Sequence, residues 1–278
     1  MEVRQKVFKM HMYDLSKKVA LITGAGGLLG IHHAIALFEV NANVVLTDIN
    51  INALKKQKAI IEKKFNKNCL IYKLDVTSKS SIQKVIKDLT KKNIFVDILI
   101  NNAAIDPKIN KKSSSRLENF DLKQWNIELS VGLTGAFLCT QLFCKEMNKK
   151  KKGVVLNIAS DLSVIAPDQR IYMQKGIVAD KQGVKPVTYS VIKHGLIGLT
   201  KYTAAYYADK NIRCNAISPG GVYNNQNKKF VNKLRKLIPM SRMANKDEYK
   251  SAIQFLCSDA SSYMTGQNLI IDGGRSII

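Results

Sequence analysis

Short runs of mostly apolar residues alternate along this chain with longer segments in which apolar positions recur at helical spacing. Val19–Ile22, Asn43–Asp48, Cys69–Asp75, Val96–Ile100, Gly153–Ile158, Ile212–Ile217 and Leu269–Ile271 read as seven strands. Runs without polar alternation, such as Val19–Ile22, are strands covered on both faces. Ile31–Phe38, Ile51–Phe65, Ser81–Leu89, Phe120–Met147 and Tyr189–Tyr207 read as helices. A more irregular stretch after the sixth strand holds helical pieces near Phe230–Leu237 and Asp247–Cys257. Strands that alternate with helices predict the α/β class: a doubly wound, seven-stranded parallel sheet with helices on both faces. No repeat or linker divides the chain, so residues 1–16 are expected to be a lead-in and 17–278 a single domain.

The first strand ends in Thr23-Gly-Ala-Gly-Gly-Leu-Leu-Gly30, and a helix follows at once. A glycine turn between strand and helix lets the backbone approach a pyrophosphate, and the helix N-terminus supplies free N–H groups and partial positive charge. The second strand ends on Asp48, 24 residues after Gly24, the spacing of an acid that accepts hydrogen bonds from the adenosine ribose. A carboxylate there repels a 2′-phosphate, and the turn holds no Arg or Lys to offset it, so NAD is the expected cofactor rather than NADP. Further along, Tyr189 and Lys193 are spaced i, i+4, on one helical face. An ammonium beside a phenol favours the phenolate, which can take a proton from an alcohol while hydride leaves its carbon. Ser160, just past the fifth strand, is placed to hydrogen-bond the reacting oxygen.

Composition narrows the remaining classes. With 278 residues and 46% apolar content the chain can build a full core, and no apolar run approaches membrane-spanning length. Met1–Asp14 has no signal-peptide hydrophobic region, so a cytoplasmic address without a membrane partner is expected. Cys69, Cys139, Cys144, Cys214 and Cys257 lack metal-ligand spacing and are expected to be reduced core thiols, with no metal. The net charge of +23 is spread along the whole chain and is dominated by lysine. It is therefore read as compositional bias with a positive field that suits an anionic substrate, and nucleic acid is not an expected partner.

Taken together, these segments resemble the short-chain dehydrogenase/reductase family over residues 17–277, with its Rossmann-like fold. The resemblance rests on Thr23-Gly24 with Gly30, Asp75, Asn101-Asn-Ala-Ala104, Ser160, Tyr189, Lys193, Ser218-Pro-Gly-Gly221 and Asp272-Gly-Gly274. It implies Ser160, Tyr189 and Lys193 as catalytic residues. It implies a cofactor site of Gly24, Gly26, Gly27, Leu28, Leu29, Gly30, Asp48, Ile49, Asp75, Val76, Asn102, Ala103, Ala104, Tyr189, Lys193, Pro219, Gly220 and Val222. A homodimer or homotetramer is also implied. The chain departs from the family at Leu28 in the glycine turn, at Gly132 in place of a proton-relay Asn, at Asn224 in place of a Thr, and in the 29-residue separation of Ser160 and Tyr189. That separation marks an insertion, Ala166–Pro186, expected to lie beside the active site. Gly132 is expected to leave the enzyme active, because glycine keeps its carbonyl and permits a local break in the helix.

The insertion, with Val187-Thr-Tyr189 and Ile238-Pro-Met-Ser-Arg242, is similar to a subgroup linked to bacterial surface-sugar biosynthesis, including flagellin glycosylation and nonulosonic acids. That implies a sugar derivative as substrate, expected to be anionic. Asp161, Arg170, Tyr172, Tyr223 and Arg242 are its candidate contacts, and Arg170 is expected to hold the anion from a lid. Two other readings stay open: a reductase of 3-oxoacyl thioesters or small ketones, and a catalytically silent dinucleotide-binding regulator.

Overall fold

The computed structural model describes residues 12–105 and 115–278. Seven parallel strands form one sheet: β1 (Val19–Ile22), β2 (Asn43–Asp48), β3 (Leu70–Lys73), β4 (Ile98–Asn101), β5 (Gly153–Ile158), β6 (Ile212–Pro219) and β7 (Asn268–Ile271). Their order across the sheet is β3-β2-β1-β4-β5-β6-β7. The order reverses between β1 and β4, which opens a crevice at the carboxyl ends of these two strands, where open α/β sheets bind ligands.

The helices are α1 (Gly30–Glu39), α2 (Ile51–Phe65), α3 (Lys79–Lys91), α4 (Leu122–Leu129), α5 (Gly135–Lys149), α6 (Val187–Tyr206), α7 (Lys228–Arg235) and α8 (Lys250–Cys257). They cover both faces of the sheet and give two apolar layers. One gathers Leu37, Leu54, Ile61, Ile253 and Leu256 against β1, β2 and β5. The other gathers Val85, Leu89, Phe143 and Met147 against the opposite side. Burial of such side chains contributes about 1.5–3 kcal/mol each. Of the expected lead-in, residues 1–11 lie outside the described residues. Leu15 already belongs to the domain: it is buried, and its N–H donates to the Val40 carbonyl at 2.8 Å.

The long helix expected over Phe120–Met147 is three pieces. A π-helical turn, Ser130–Thr134, separates α4 from α5. Gly132 lies in that turn, and a Cβ there would meet Ile192 Cγ2 of α6 at 2.8 Å. The widened turn and the missing side chain let the two helices pack closely. Contrary to the expectation that no apolar run approaches membrane-spanning length, Leu122–Lys149 is long and apolar enough to cross a membrane, but half of its apolar window is buried inside the domain. All five cysteines are buried and unbridged. Burial pushes the thiols of Cys69, Cys139, Cys144 and Cys257 up to about 12.

Candidate active site

The glycine turn is held by backbone and short polar side chains. Gly24 has φ +62°, and a Cβ on it would lie 2.7 Å from Ala103 Cα, so both its conformation and its neighbour require glycine. Thr23 Oγ1 accepts the N–H groups of Asn102 and Ala103, both at 3.1 Å. Asn102 Nδ2 donates to the carbonyls of Thr23 and Gly24, both at 3.0 Å. Asn102 therefore braces the turn as well as lining the crevice. Asp48 does likewise: its Oδ2 accepts Gly26 N–H at 3.0 Å and its Oδ1 accepts Asn50 N–H at 2.8 Å. Beside Asn102 lies His33, fully buried, with Nε2 lacking a hydrogen-bond partner; burial pushes its imidazole down to about 3.

From this turn a cleft of about 420 Å³ runs along the carboxyl ends of β1, β4, β5 and β6. Gly24, Gly27, Leu28, Leu29, Asp48, Asn102 and Ala104 line one end. Ser160, Asp161, Tyr189, Lys193, Pro219, Gly220 and Val222 line the middle and the other end. The catalytic candidates, drawn from β5 and α6, therefore share one cavity. Lys193 is buried, and its Nζ donates to the Ile158 carbonyl at 2.8 Å while standing 5.7 Å from the centre of the Tyr189 ring. Ser160 Oγ donates to Asp161 Oδ1 at 2.8 Å and accepts Leu162 N–H at 3.2 Å. Thr188, directly before the tyrosine, donates to the buried carboxylate of Glu128, which also accepts from Gln124 Nε2 at 2.6 Å. A buried polar chain, Asn101 to Asn157 at 2.8 Å and Asn157 to Thr200 at 2.8 Å, links β4, β5 and α6 beneath the site.

These residues fit a nicotinamide dinucleotide. Gly24 and Gly27 of the turn line the cleft, Asp48 faces it at one end, and the Ser160–Tyr189–Lys193 set stands at the other. Not every expected contact reaches the cleft surface. Gly26 and Gly30 act as packing positions: a Cβ on Gly26 would meet Ala53 at 2.8 Å, and one on Gly30 would meet Ala25 at 2.6 Å. Ala103, Ile49, Asp75 and Val76 also stand outside the lining. Asp75 caps a turn by accepting Thr77 N–H at 2.9 Å, and Val76 packs on Gly135.

The substrate candidates divide. Asp161 and Tyr172 line the cleft. Arg170 does not: its side chain is 82% exposed and forks onto Asp168, two residues away, with contacts of 2.7–3.1 Å. The guanidinium holds the Asp168 carboxyl down at about 2. Arg242 forks onto Glu248 at 2.6 and 2.7 Å and lines a neighbouring cavity of about 210 Å³. Tyr223 is exposed outside the lining. The insertion still borders the cleft, through Ile171, Tyr172 and Lys185. Ile171 packs on Leu234, Ile238 and Met243, with Tyr172 and Phe230 against them. Lys185 Nζ lies 3.7 Å from the centre of the Tyr189 ring. Sequence reasoning missed Lys185, Phe230 and, most of all, Arg275. Arg275 is buried, lines the cleft, and pairs with Asp161 at 2.7 Å. The only available signal was a single cation directly after Asp272-Gly-Gly274 in an otherwise uncharged tail.

Comparison with known proteins agrees with this architecture. A family model described as enoyl-(acyl carrier protein) reductase matches residues 24–276. An NAD-dependent glycerol dehydrogenase of Listeria innocua is 32% identical over 271 residues, 95% of this chain and 96% of that protein. The post-translational flagellin modification protein A of Campylobacter coli is 29% identical over 260 residues, 94% of this chain and 98% of that protein. Among solved structures, a gluconate 5-dehydrogenase from Burkholderia cenocepacia in complex with NADP and tartrate superposes with TM-score 0.84 at 25% identity, over 97% of this chain and 99% of that one. A Rossmann-like sheet, a glycine turn beside Asp48 and a Ser160–Tyr189–Lys193 cleft, matched along nearly the whole length, make this chain a member of the short-chain dehydrogenase/reductase family.

Proposed function

We propose that the chain is an NAD-dependent dehydrogenase acting on a hydroxyl or ketone of a polyhydroxylated, anionic substrate, a sugar derivative of surface-glycan biosynthesis. The observation that carries the reading is a single cleft with Asp48 at one end and Ser160, Tyr189 and Lys193 at the other. When bound, NAD supplies the hydride acceptor. Gly24, Gly27, Leu28 and Asp48 would hold its adenosine and pyrophosphate, and Asn102, Ala104, Pro219, Gly220 and Val222 its nicotinamide half. Tyr189 Oη takes the proton of the substrate hydroxyl, and the nearby ammonium of Lys193 favours the phenolate that receives it. Ser160 holds the reacting oxygen. The π-helical turn at Gly132, where the glycine keeps its carbonyl in a locally broken helix, supports an active site without the relay Asn.

Relatives that act on glycerol and gluconate, and one that serves flagellin modification, support a hydroxylated substrate. The five buried, unbridged thiols support a reducing, cytoplasmic setting. Exposed Phe137, Tyr202 and Tyr206 on α5 and α6 support a homodimer or homotetramer. The family model's description favours a second reading, a 3-oxoacyl thioester or small-ketone reductase. Asp48 weighs against it, because such biosynthetic reductases more often use NADPH. NADH formation across polyols, aldonates and sugar phosphates tests the first reading. Tyr189→Phe should cut turnover at least ~100-fold and leave the Kd for NAD within about threefold. Normal turnover in that variant would remove Tyr189 from catalysis. Exclusive NADPH-dependent reduction of acyl thioesters would favour the second reading.

A further inference from the structure

Among the described residues Arg275 is the one arginine of the cleft lining, and its surroundings are unusual within this protein. The tail reaches it through Gly273 and Gly274, both at positive φ, in a turn braced by Asp272, which accepts Gly274 N–H at 2.9 Å and Ser276 N–H at 2.8 Å. The residue is only 8% exposed, yet it makes a single hydrogen bond, Nη1 to Asp161 Oδ2 at 2.7 Å. A guanidinium carries five N–H donors in a rigid fork. Arg170 and Arg242, both at the surface, spend that fork on one carboxylate each. The buried arginine does not. Asp161 is already shared, since its Oδ1 takes Ser160 Oγ–H and Leu162 N–H. None of the remaining Arg275 donors is among the sealed, unpartnered atoms of the described residues, and Arg275 lines the cleft.

Charge points the same way. Three cations, Lys185, Lys193 and Arg275, line this end of the cleft together with Asp161. The Asp161 carboxylate touches Ser160 with one oxygen and Arg275 with the other. One carboxylate thus bridges the guanidinium to the serine proposed to hold the reacting oxygen.

We propose that Arg275 is the specificity-determining residue of the substrate site: its free N–H edge binds a carboxylate or phosphate carried close to the hydroxyl that is oxidised. This rests on the dehydrogenase reading above and moves its anion contact from Arg170 to Arg275. A forked guanidinium in a low-dielectric cleft makes charge-assisted hydrogen bonds that a neutral polyol cannot match.

Tartrate and threitol are a matched pair, identical in carbon number and central hydroxyls and differing in their charged ends. Titration calorimetry on the full-length, NAD-loaded protein with tartrate, threitol and inorganic phosphate tests the assignment. In the wild type, tartrate or phosphate should bind at least ~10-fold more tightly than threitol, and the stronger of the two names the anion. Arg275→Gln should abolish that advantage and leave threitol and NAD affinities within about twofold. Because Arg275→Gln leaves Asp161 buried and unpaired, Asp161→Asn/Arg275→Gln, which removes both charges, and Arg275→Lys, which keeps the charge but not the fork, accompany it. The double variant should behave as Arg275→Gln, and the lysine variant should lose at least ~5-fold on the anion. A wild type that binds neither anion better than threitol overturns the proposal, as does a folded variant that keeps the full preference. Failure to bind NAD would instead sink the dehydrogenase reading, which separates the two outcomes.

Discussion

The two ends of the cleft are built by different means. The dinucleotide end is made of consecutive residues and backbone: the Thr23–Gly30 turn, Asp48 at the end of β2, and Asn102 bonded to the carbonyls of Thr23 and Gly24. The substrate end is assembled from segments far apart in the chain: Ser160-Asp161, Tyr172 and Lys185 from the insertion, Phe230 from α7, and Arg275 from the tail. The first kind of site is built largely of tightly packed backbone, so single atoms matter. The second relies on side chains meeting across the fold, so its chemistry can change without disturbing the sheet.

The sharpest way to break this contrast is Gly24→Ala. The added Cβ would sit 2.7 Å from Ala103 Cα, on a residue at φ +62°. Left-handed backbone costs about 1–2 kcal/mol for an alanine and overpacking about 1–3 kcal/mol, so stability should fall by about 2–5 kcal/mol in denaturant titration. A midpoint unchanged from the wild type would mean that the turn is not tight.

The dinucleotide end should also carry a pH dependence. His33 is buried neutral, its imidazole pushed from 6.5 down to about 3. Below pH 6.5 the unfolded chain binds a proton that the native chain refuses, so stability is full above that pH and is lost as pH falls toward 3. The slope is about 1.4 kcal/mol per pH unit. His33→Leu should remove this slope between pH 6 and 4 when unfolding curves are compared with the wild type. Parallel pH dependences in the two proteins would show that His33 is solvated.

Cofactor choice comes next in size. With Asp48 facing the cleft and no cation in the turn, kcat/KM should favour NAD over NADP at least ~10-fold, about 1.4 kcal/mol. Asp48→Asn should narrow that ratio. Equal values in the wild type would take Asp48 off the ribose.

The smallest effect is expected at the position the sequence singled out. Arg170→Ala should change substrate KM by less than about twofold, because the guanidinium is solvated and bound to Asp168. A large rise in KM would restore Arg170 as the anion contact and weaken the case for Arg275.

The strand and helix order, the parallel sheet, the glycine turn and the gathering of Ser160, Tyr189 and Lys193 were all legible along the chain. The first three and the Tyr189–Lys193 pair rest on local signals, namely apolar runs, glycine placement and i, i+4 spacing, and Ser160 joined them through the family resemblance. Element ends were less so. The expected strand Cys69–Asp75 shortens to Leu70–Lys73 because Asp75 turns to accept from Thr77. The helix expected through Met147 breaks at Ser130–Thr134, where α6 packs against Gly132.

Which arginine lines the cleft was decided only in three dimensions. Arg170 has an acid two residues away and needs no fold to find it. Arg275 finds Asp161 across 114 residues of sequence, and only after β5 and β7 have taken their places in the sheet does that pair exist. The sequence by itself determined the frame and the dinucleotide end, because backbone conformation and apolar burial act between near neighbours or through period. The tertiary structure decided the substrate end, because a charged side chain settles where its non-local partner and its remaining solvent allow.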